Sequence, residues 1–151
     1  MKPGPVQSWI AAIRPATLTA SLGPVAVGTA FAVADDAFQP LAALFAFLGA
    51  ALLQVGTNLF NDLADFKKGA DTDARLGPAR AVQKGWLSQK EVAIGVAVTF
   101  GAAAVSGIYL VWVGGWPILA IGLSGIVAGL AYTGGPKPLA YVGLGDVFVM
   151  L

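Results

Sequence analysis

The chain has 151 residues, 57% of them hydrophobic and 11% charged, with a mean hydropathy of +0.76 and a formal net charge of +1. That is too apolar for an ordinary water-soluble domain and points to a membrane protein. It contains no cysteine and no histidine, which excludes disulfides, thiolate catalysis, imidazole bases and the usual zinc sites. A metal would have to be held by oxygen, which suits magnesium, manganese or calcium, and magnesium commonly shares its site with substrate phosphates.

The opening stretch "MKPGPVQSWIAAIRP" carries Lys2 and Arg14 around a short apolar patch without a small-residue cleavage site, so it does not read as a signal peptide. About 20 residues cross roughly 30 Å of hydrocarbon, and windows of that kind follow at residues 17–34, 41–60, 92–113 and 117–132. The first contains Gly23-Pro24, where a proline should kink the helix and free a carbonyl that needs another partner. A fifth window begins near Leu139, and the chain ends inside it with "DVFVML". The expected fold is therefore all-α: a polytopic transmembrane helix bundle with four full spans and an incomplete fifth, forming one domain over residues 1–151 whose carboxyl-terminal part lies beyond Leu151.

Threading these windows through a bilayer puts Lys2, Arg14, Lys67, Lys68, Arg75, Arg80, Lys84, Lys90 and Lys137 on one side, and the loop with Asp35 and Asp36 on the other. By the positive-inside rule the basic side, with the amino terminus, is cytoplasmic, which suits a multi-pass protein of the cell membrane. Glycines 49, 56, 95, 101, 122, 125 and 129 lie inside the spans, where small residues let helices approach closely.

The second window ends in "QVGTNLFNDLADFKKGADTDARLGPAR". On a helix Gln54, Asn58, Asn61, Asp62 and Asp65 share one stripe, and a polar stripe at that depth should face a bundle interior or an aqueous cavity. Converging carboxylates repel unless a cation neutralises them. Asp62 and Asp65, with Asp71 and Asp73 just beyond, supply ligands for one or two magnesium ions, and Asn58 and Asn61 add neutral oxygens. Six of the nine basic residues lie from Lys67 to Lys90, among Gly69, Gly77 and Pro78. Carboxylates beside a basic loop at the membrane face are what a magnesium-bridged diphosphate needs. Arg80, behind the Gly-Pro turn, is the base singled out; for Lys67, Lys68, Lys84 and Lys90 topology alone suffices. A second polar knot, "AYTGGPKPLAYVGLGD", places Lys137 in a loop and Asp146 two turns into the fifth window, while Tyr132 and Tyr141 equally suit an interfacial aromatic belt.

Together, "WIAAIRPATLTASLGPVAVGTA", "QVGTNLFND", "NDLADFKKGADTDARLGPARAVQKG" and "YTGGPKPLAYVGLGD" resemble the UbiA-type intramembrane prenyltransferases, and most closely the branch acting on 1,4-dihydroxy-2-naphthoate in menaquinone biosynthesis. The resemblance implies a bundle of about nine helices around a cavity, with two aspartate-rich motifs that bind polyprenyl diphosphate through Mg2+. The first motif is Asn-Asp, two residues, Asp, three residues, Asp; here Asn61, Asp62 and Asp65 are in register, while Gly69 takes the last place and Asp71 follows. The second motif is expected beyond Leu151.

The residue pattern and the resemblance together give the expected site: Asp62, Asp65 and Asn58 for catalysis, Asn58, Asp62, Asp65 and Asp71 for metal, and Asn61, Arg80, Lys137, Tyr132 and Asp146 for substrate. The expected partners are polyprenyl diphosphate, 1,4-dihydroxy-2-naphthoate and the lipid bilayer, with no nucleic acid. The reaction would be prenyl transfer with decarboxylation to demethylmenaquinone. The alternatives are another aromatic acceptor, such as 4-hydroxybenzoate or homogentisate, and an ion-coupled transporter using Asp62, Asp65 and Asp146 as cation sites. A CDP-alcohol phosphotransferase is disfavoured because Phe66, not glycine, follows Asp65.

Overall fold

A computed structural model describes residues 3–69, 79–135 and 138–139. It contains α1 (Pro5–Ile13), a 3-10 turn (Pro15–Thr17), α2 (Leu18–Ala34), α3 (Pro40–Lys68), α4 (Gln89–Gly114) and α5 (Trp116–Thr133), with no strand among the described residues. Four segments are long and apolar enough to cross a membrane. The expected spans hold, and the fifth window lies outside the described residues. α2 runs on through Pro24.

Two boundaries differ from the sequence reading. The amino-terminal patch folds as the separate helix α1, and α3 continues eight residues past Phe60 to Lys68. α1 stops because Pro15 has no N–H to extend it and Arg14 turns left-handed at φ 56°. The corner leaves carbonyls to be met. Thr17 donates to the Arg14 carbonyl at 2.9 Å, and the Asn58 side chain of α3 donates to the Ile13 carbonyl and to Thr17 Oγ1, each at 2.8 Å. α4 begins with a reciprocal capping box in which Glu91 N–H donates to Ser88 Oγ and Ser88 N–H to Glu91 Oε2.

α3 is the hub, packing on α1, α2, α4 and α5. The buried core sits around its carboxyl-terminal turns, where Leu59 and Leu63 meet Ala12, Ala81, Val82, Leu87 and Val92, flanked by Trp9 and Trp86. Along the spans the pattern inverts: Phe31, Ile108, Trp112 and Ile121 point outward, Trp112 being 81% exposed. Such outward-facing apolar side chains suit a membrane setting.

Close approach between helices is concentrated at a few glycines. A Cβ on Gly56 would lie 3.0 Å from Thr99 Oγ1 and 3.2 Å from the Phe100 ring of α4, and one on Gly95 would lie 3.1 Å from Leu59 and Trp9. Gly129 of α5 abuts Thr57. Gly101 and Gly122, by contrast, have no described atom within 4 Å of such a Cβ.

The ends of α3 and α5 are tied by polar contacts. Thr133 Oγ1 donates to Asn61 Oδ1 at 2.6 Å, and Lys68 Nζ donates to the carbonyls of Thr133 at 2.6 Å and Gly135 at 3.0 Å. Lys68 thus supplies a cation to the carbonyl end of α5.

Two substitutions test this packing by thermal unfolding in detergent. Gly56→Leu should destabilise by about 1–3 kcal/mol through overpacking against Thr99 and Phe100, whereas Gly101→Leu should stay within about 0.5 kcal/mol. Thr133→Val keeps the shape but leaves the buried Asn61 oxygen unmet, and should cost about 1–3 kcal/mol.

Candidate functional site

The polar stripe of α3 is buried. Asn58, Asn61, Asp62 and Asp65 are all enclosed, and Asp62 is 0% exposed. Leu59 and Leu63, on the intervening faces, are buried too, so this end of α3 is surrounded by protein rather than turning one polar face into a single cavity.

Each stripe residue meets a different neighbour. Asn58 spends its amide N–H groups on the α1–α2 corner, and its Oδ1 accepts from Gln54 at 3.4 Å. Asn61 faces Thr133 of α5. Asp62 and Asp65 face the segment entering α4: Ala81 N–H donates to Asp62 Oδ2 at 3.0 Å, Val82 N–H donates to Asp62 Oδ1 at 3.4 Å, and Arg80 forms a salt bridge with Asp65 Oδ2.

The segment can do this because residues 80–85 form one helical turn. Lys84 N–H donates to the Arg80 carbonyl at 3.0 Å, Gly85 N–H to the Val82 carbonyl at 3.0 Å and Trp86 N–H to the Ala81 carbonyl at 2.9 Å; Gly85 leaves the turn at φ 65°. Its leading N–H groups have no carbonyl a turn earlier to bond, and the Asp62 carboxylate receives them as a capping side chain would. Arg80 and Asp65 are 4% and 5% exposed. A pair so enclosed is worth little relative to apolar packing, but losing one member leaves a buried uncompensated charge.

The fold therefore brings Asn58, Asn61, Asp62, Asp65 and Arg80, all expected from the sequence, together at one end of the bundle. Tyr132 lies half-buried at the end of α5, next to Thr133. Asp71, Lys137 and Asp146 lie outside the described residues. Three contributors were not singled out from sequence. Arg14 lies within electrostatic reach of Asp62; Lys68 and Thr133 tie α3 to α5. The Arg-Pro dipeptide between two apolar segments was the available signal for Arg14. Nothing local marked the other two, whose partners are 65 and 72 residues away.

Carboxylate and amide oxygens are of the right kind for a hard cation. Among the described residues no three acidic side chains come together, and the two present already have partners. Asp65 is the better placed of the two to take a metal, because its contact with Arg80 is to a flexible side chain, whereas both Asp62 oxygens accept from backbone. Beside this end lies an open cleft of about 760 Å³ lined by Trp9, Phe66, Trp86 and Glu91, among others. Higher in the bundle a nearly apolar cleft of about 550 Å³ separates α3, α4 and α5, lined by residues such as Leu53, Gly107, Ile118 and Ile126.

Comparison with known proteins places the chain in a family. Over 153 residues the chain is 40% identical to a 1,4-dihydroxy-2-naphthoate octaprenyltransferase of Escherichia coli (strain K12), covering 96% of this chain and 49% of the relative. It is 39% identical to the protein of that name from Bacillus subtilis (strain 168), covering 89% and 43%. It is also 31% identical to UbiA prenyltransferase domain-containing protein 1 of Danio rerio, covering 95% and 43%. The chain thus spans about half the length of the curated relatives it matches. No solved structure matches it. The family model described as the UbiA prenyltransferase family matches residues 21–151, and the chain belongs to that family.

Proposed function

We propose that the whole protein transfers a polyprenyl group from polyprenyl diphosphate to 1,4-dihydroxy-2-naphthoate, with loss of the ring carboxylate as carbon dioxide and release of diphosphate, giving the quinol form of demethylmenaquinone. The observation that carries this reading is the enclosed Asp65–Arg80 pair at the polar end of an otherwise apolar membrane helix. Family membership and the names of the bacterial relatives support the choice of donor and acceptor.

The reaction begins with heterolysis of the allylic carbon–oxygen bond, which leaves a carbocation on the chain and added negative charge on the diphosphate. Arg80 is suited to bind that charge: its planar fork takes two phosphate oxygens at once, and exchanging a carboxylate partner for a phosphate keeps it paired throughout. Asp65 and Asn61, with Asp71, are the oxygens offered to magnesium; when bound, the ion would supply Lewis-acid stabilisation of the departing diphosphate. Lys137, Tyr132 and Asp146 complete the proposed substrate set. The carbocation is then captured by the electron-rich ring, without a covalent enzyme intermediate. The apolar cleft between α3, α4 and α5 suits a hydrocarbon chain, and the low-dielectric surroundings of Arg80 strengthen its hold on charge.

Arg14, Lys67, Lys68, Arg80, Lys84 and Lys90 belong to the same end of the bundle, opposite Asp35 and Asp36. This supports a cytoplasmic position for that end and for the amino terminus, in the cell membrane.

The full-length protein in lipid nanodiscs should release diphosphate only when prenyl donor, naphthoate acceptor and Mg2+ are all present. Asp65→Asn and Arg80→Gln should each lower kcat/KM by about 100-fold or more, the scale for losing one preorganised charge-stabilising contact. Release that persists in Asp65→Asn, activity only with 4-hydroxybenzoate or homogentisate, or cation uptake without diphosphate release would each overturn the reading in a different place.

A further inference from the structure

Asp62 and Asp65 are one helical turn apart, and the sequence treats them as equivalent ligands. Their surroundings are not equivalent. Asp65 meets a side chain, the Arg80 guanidinium, which can swing aside without backbone movement. Asp62 meets backbone: both of its oxygens accept N–H groups, from Ala81 and Val82, and no part of the residue reaches the surface. The turn that donates those bonds is itself part of the core, with Ala81 0% and Val82 5% exposed against Leu59, Leu63 and Leu87. Opening Asp62 to a ligand would pull both residues out of apolar contact and break two hydrogen bonds to backbone, whereas the Arg80 contact of Asp65 is made by a side chain and can be exchanged by rotation.

We propose that Asp62 is a positioning residue: its carboxylate fixes the Arg80–Val82 turn through the turn's leading N–H groups, thereby aiming Arg80 at Asp65, and it holds neither metal nor diphosphate itself. The inference rests on reading this helix end as a diphosphate site. It divides the aspartate pair into an anchor and a ligand, and it explains why a charged group is used where a neutral cap would serve on a surface helix. A carboxylate can accept on both oxygens at once, and its charge lies close to Arg80 and Arg14.

The test uses the full-length protein with Mn2+ as the metal probe. Binding is followed by the loss of the free-ion electron paramagnetic resonance signal in the presence of inorganic pyrophosphate, and KM and kcat for the prenyl donor are measured in parallel. Asp62→Asn should keep Mn2+ affinity within about twofold while raising the donor KM about tenfold or more, and the Asp62→Asn/Arg80→Gln double variant should be no worse than Arg80→Gln alone, because both act through the same guanidinium. Val82→Pro removes one N–H donor without touching the carboxylate, and proline is tolerated in a first helical turn; it should raise the donor KM in the same direction.

A tenfold or greater loss of Mn2+ affinity in Asp62→Asn, or additive effects in the double variant, would make Asp62 a ligand and overturn the proposal. Should Asp62→Asn not fold, Val82→Pro decides, since an unchanged donor KM there refutes the anchoring role. Asp65→Asn is the control for the underlying reading: if it too retains Mn2+ affinity, the metal site is elsewhere and both proposals fall together.

Discussion

An ionised carboxylate cannot be buried among helices unless its oxygens are met, because desolvation alone costs several kcal/mol. Asp62 is buried completely, and much of this end of the bundle follows from that constraint. The chain must return after α3 with free N–H groups, which it does by starting a short turn at Arg80 and ending it at Gly85. That turn brings Ala81 and Val82 into the core and Arg80 against Asp65. One satisfied charge thus fixes a loop, part of an apolar cluster and the position of a cation.

The same economy of partners recurs at every break in the helices. The α1–α2 corner exposes carbonyls that water would satisfy in a soluble protein; here Thr17 and Asn58 meet them. The carbonyl end of α5 is met by Lys68. Most stripe residues of α3 are thereby committed to neighbours, which makes the stripe the joint that gathers α1, α5 and the entry to α4, as well as the place where chemistry is proposed. Joint and site coincide because oxygens and N–H groups rigid enough to bind a substrate need the same surroundings that hold a joint.

Above this end the forces differ. Among the described residues the spans expose large apolar side chains and bury few, as suits segments that cross a membrane. Helix contact there depends on the local absence of side-chain bulk, as where Gly56 admits Thr99 and Phe100, and Gly129 admits Thr57. Among the described residues no such contact is made at Gly101 or Gly122.

What the sequence determined by itself was whatever depends on period and composition. Hydrophobic length sets the spans, the i, i+3, i+4 spacing puts Asn58, Asn61, Asp62 and Asp65 together on α3, and the distribution of Lys and Arg sorts the loops to one side. The tertiary structure decided which partner each of those groups takes. It sent Asn58 to the α1–α2 corner, Asn61 to Thr133, Asp62 to the backbone at Ala81 and Val82, and Asp65 to Arg80. These pairings span from 15 to 72 residues of chain. Helical periodicity is a local property that a sequence displays directly, whereas the partner of a buried polar group is chosen by how distant helices pack, and packing has no local signature.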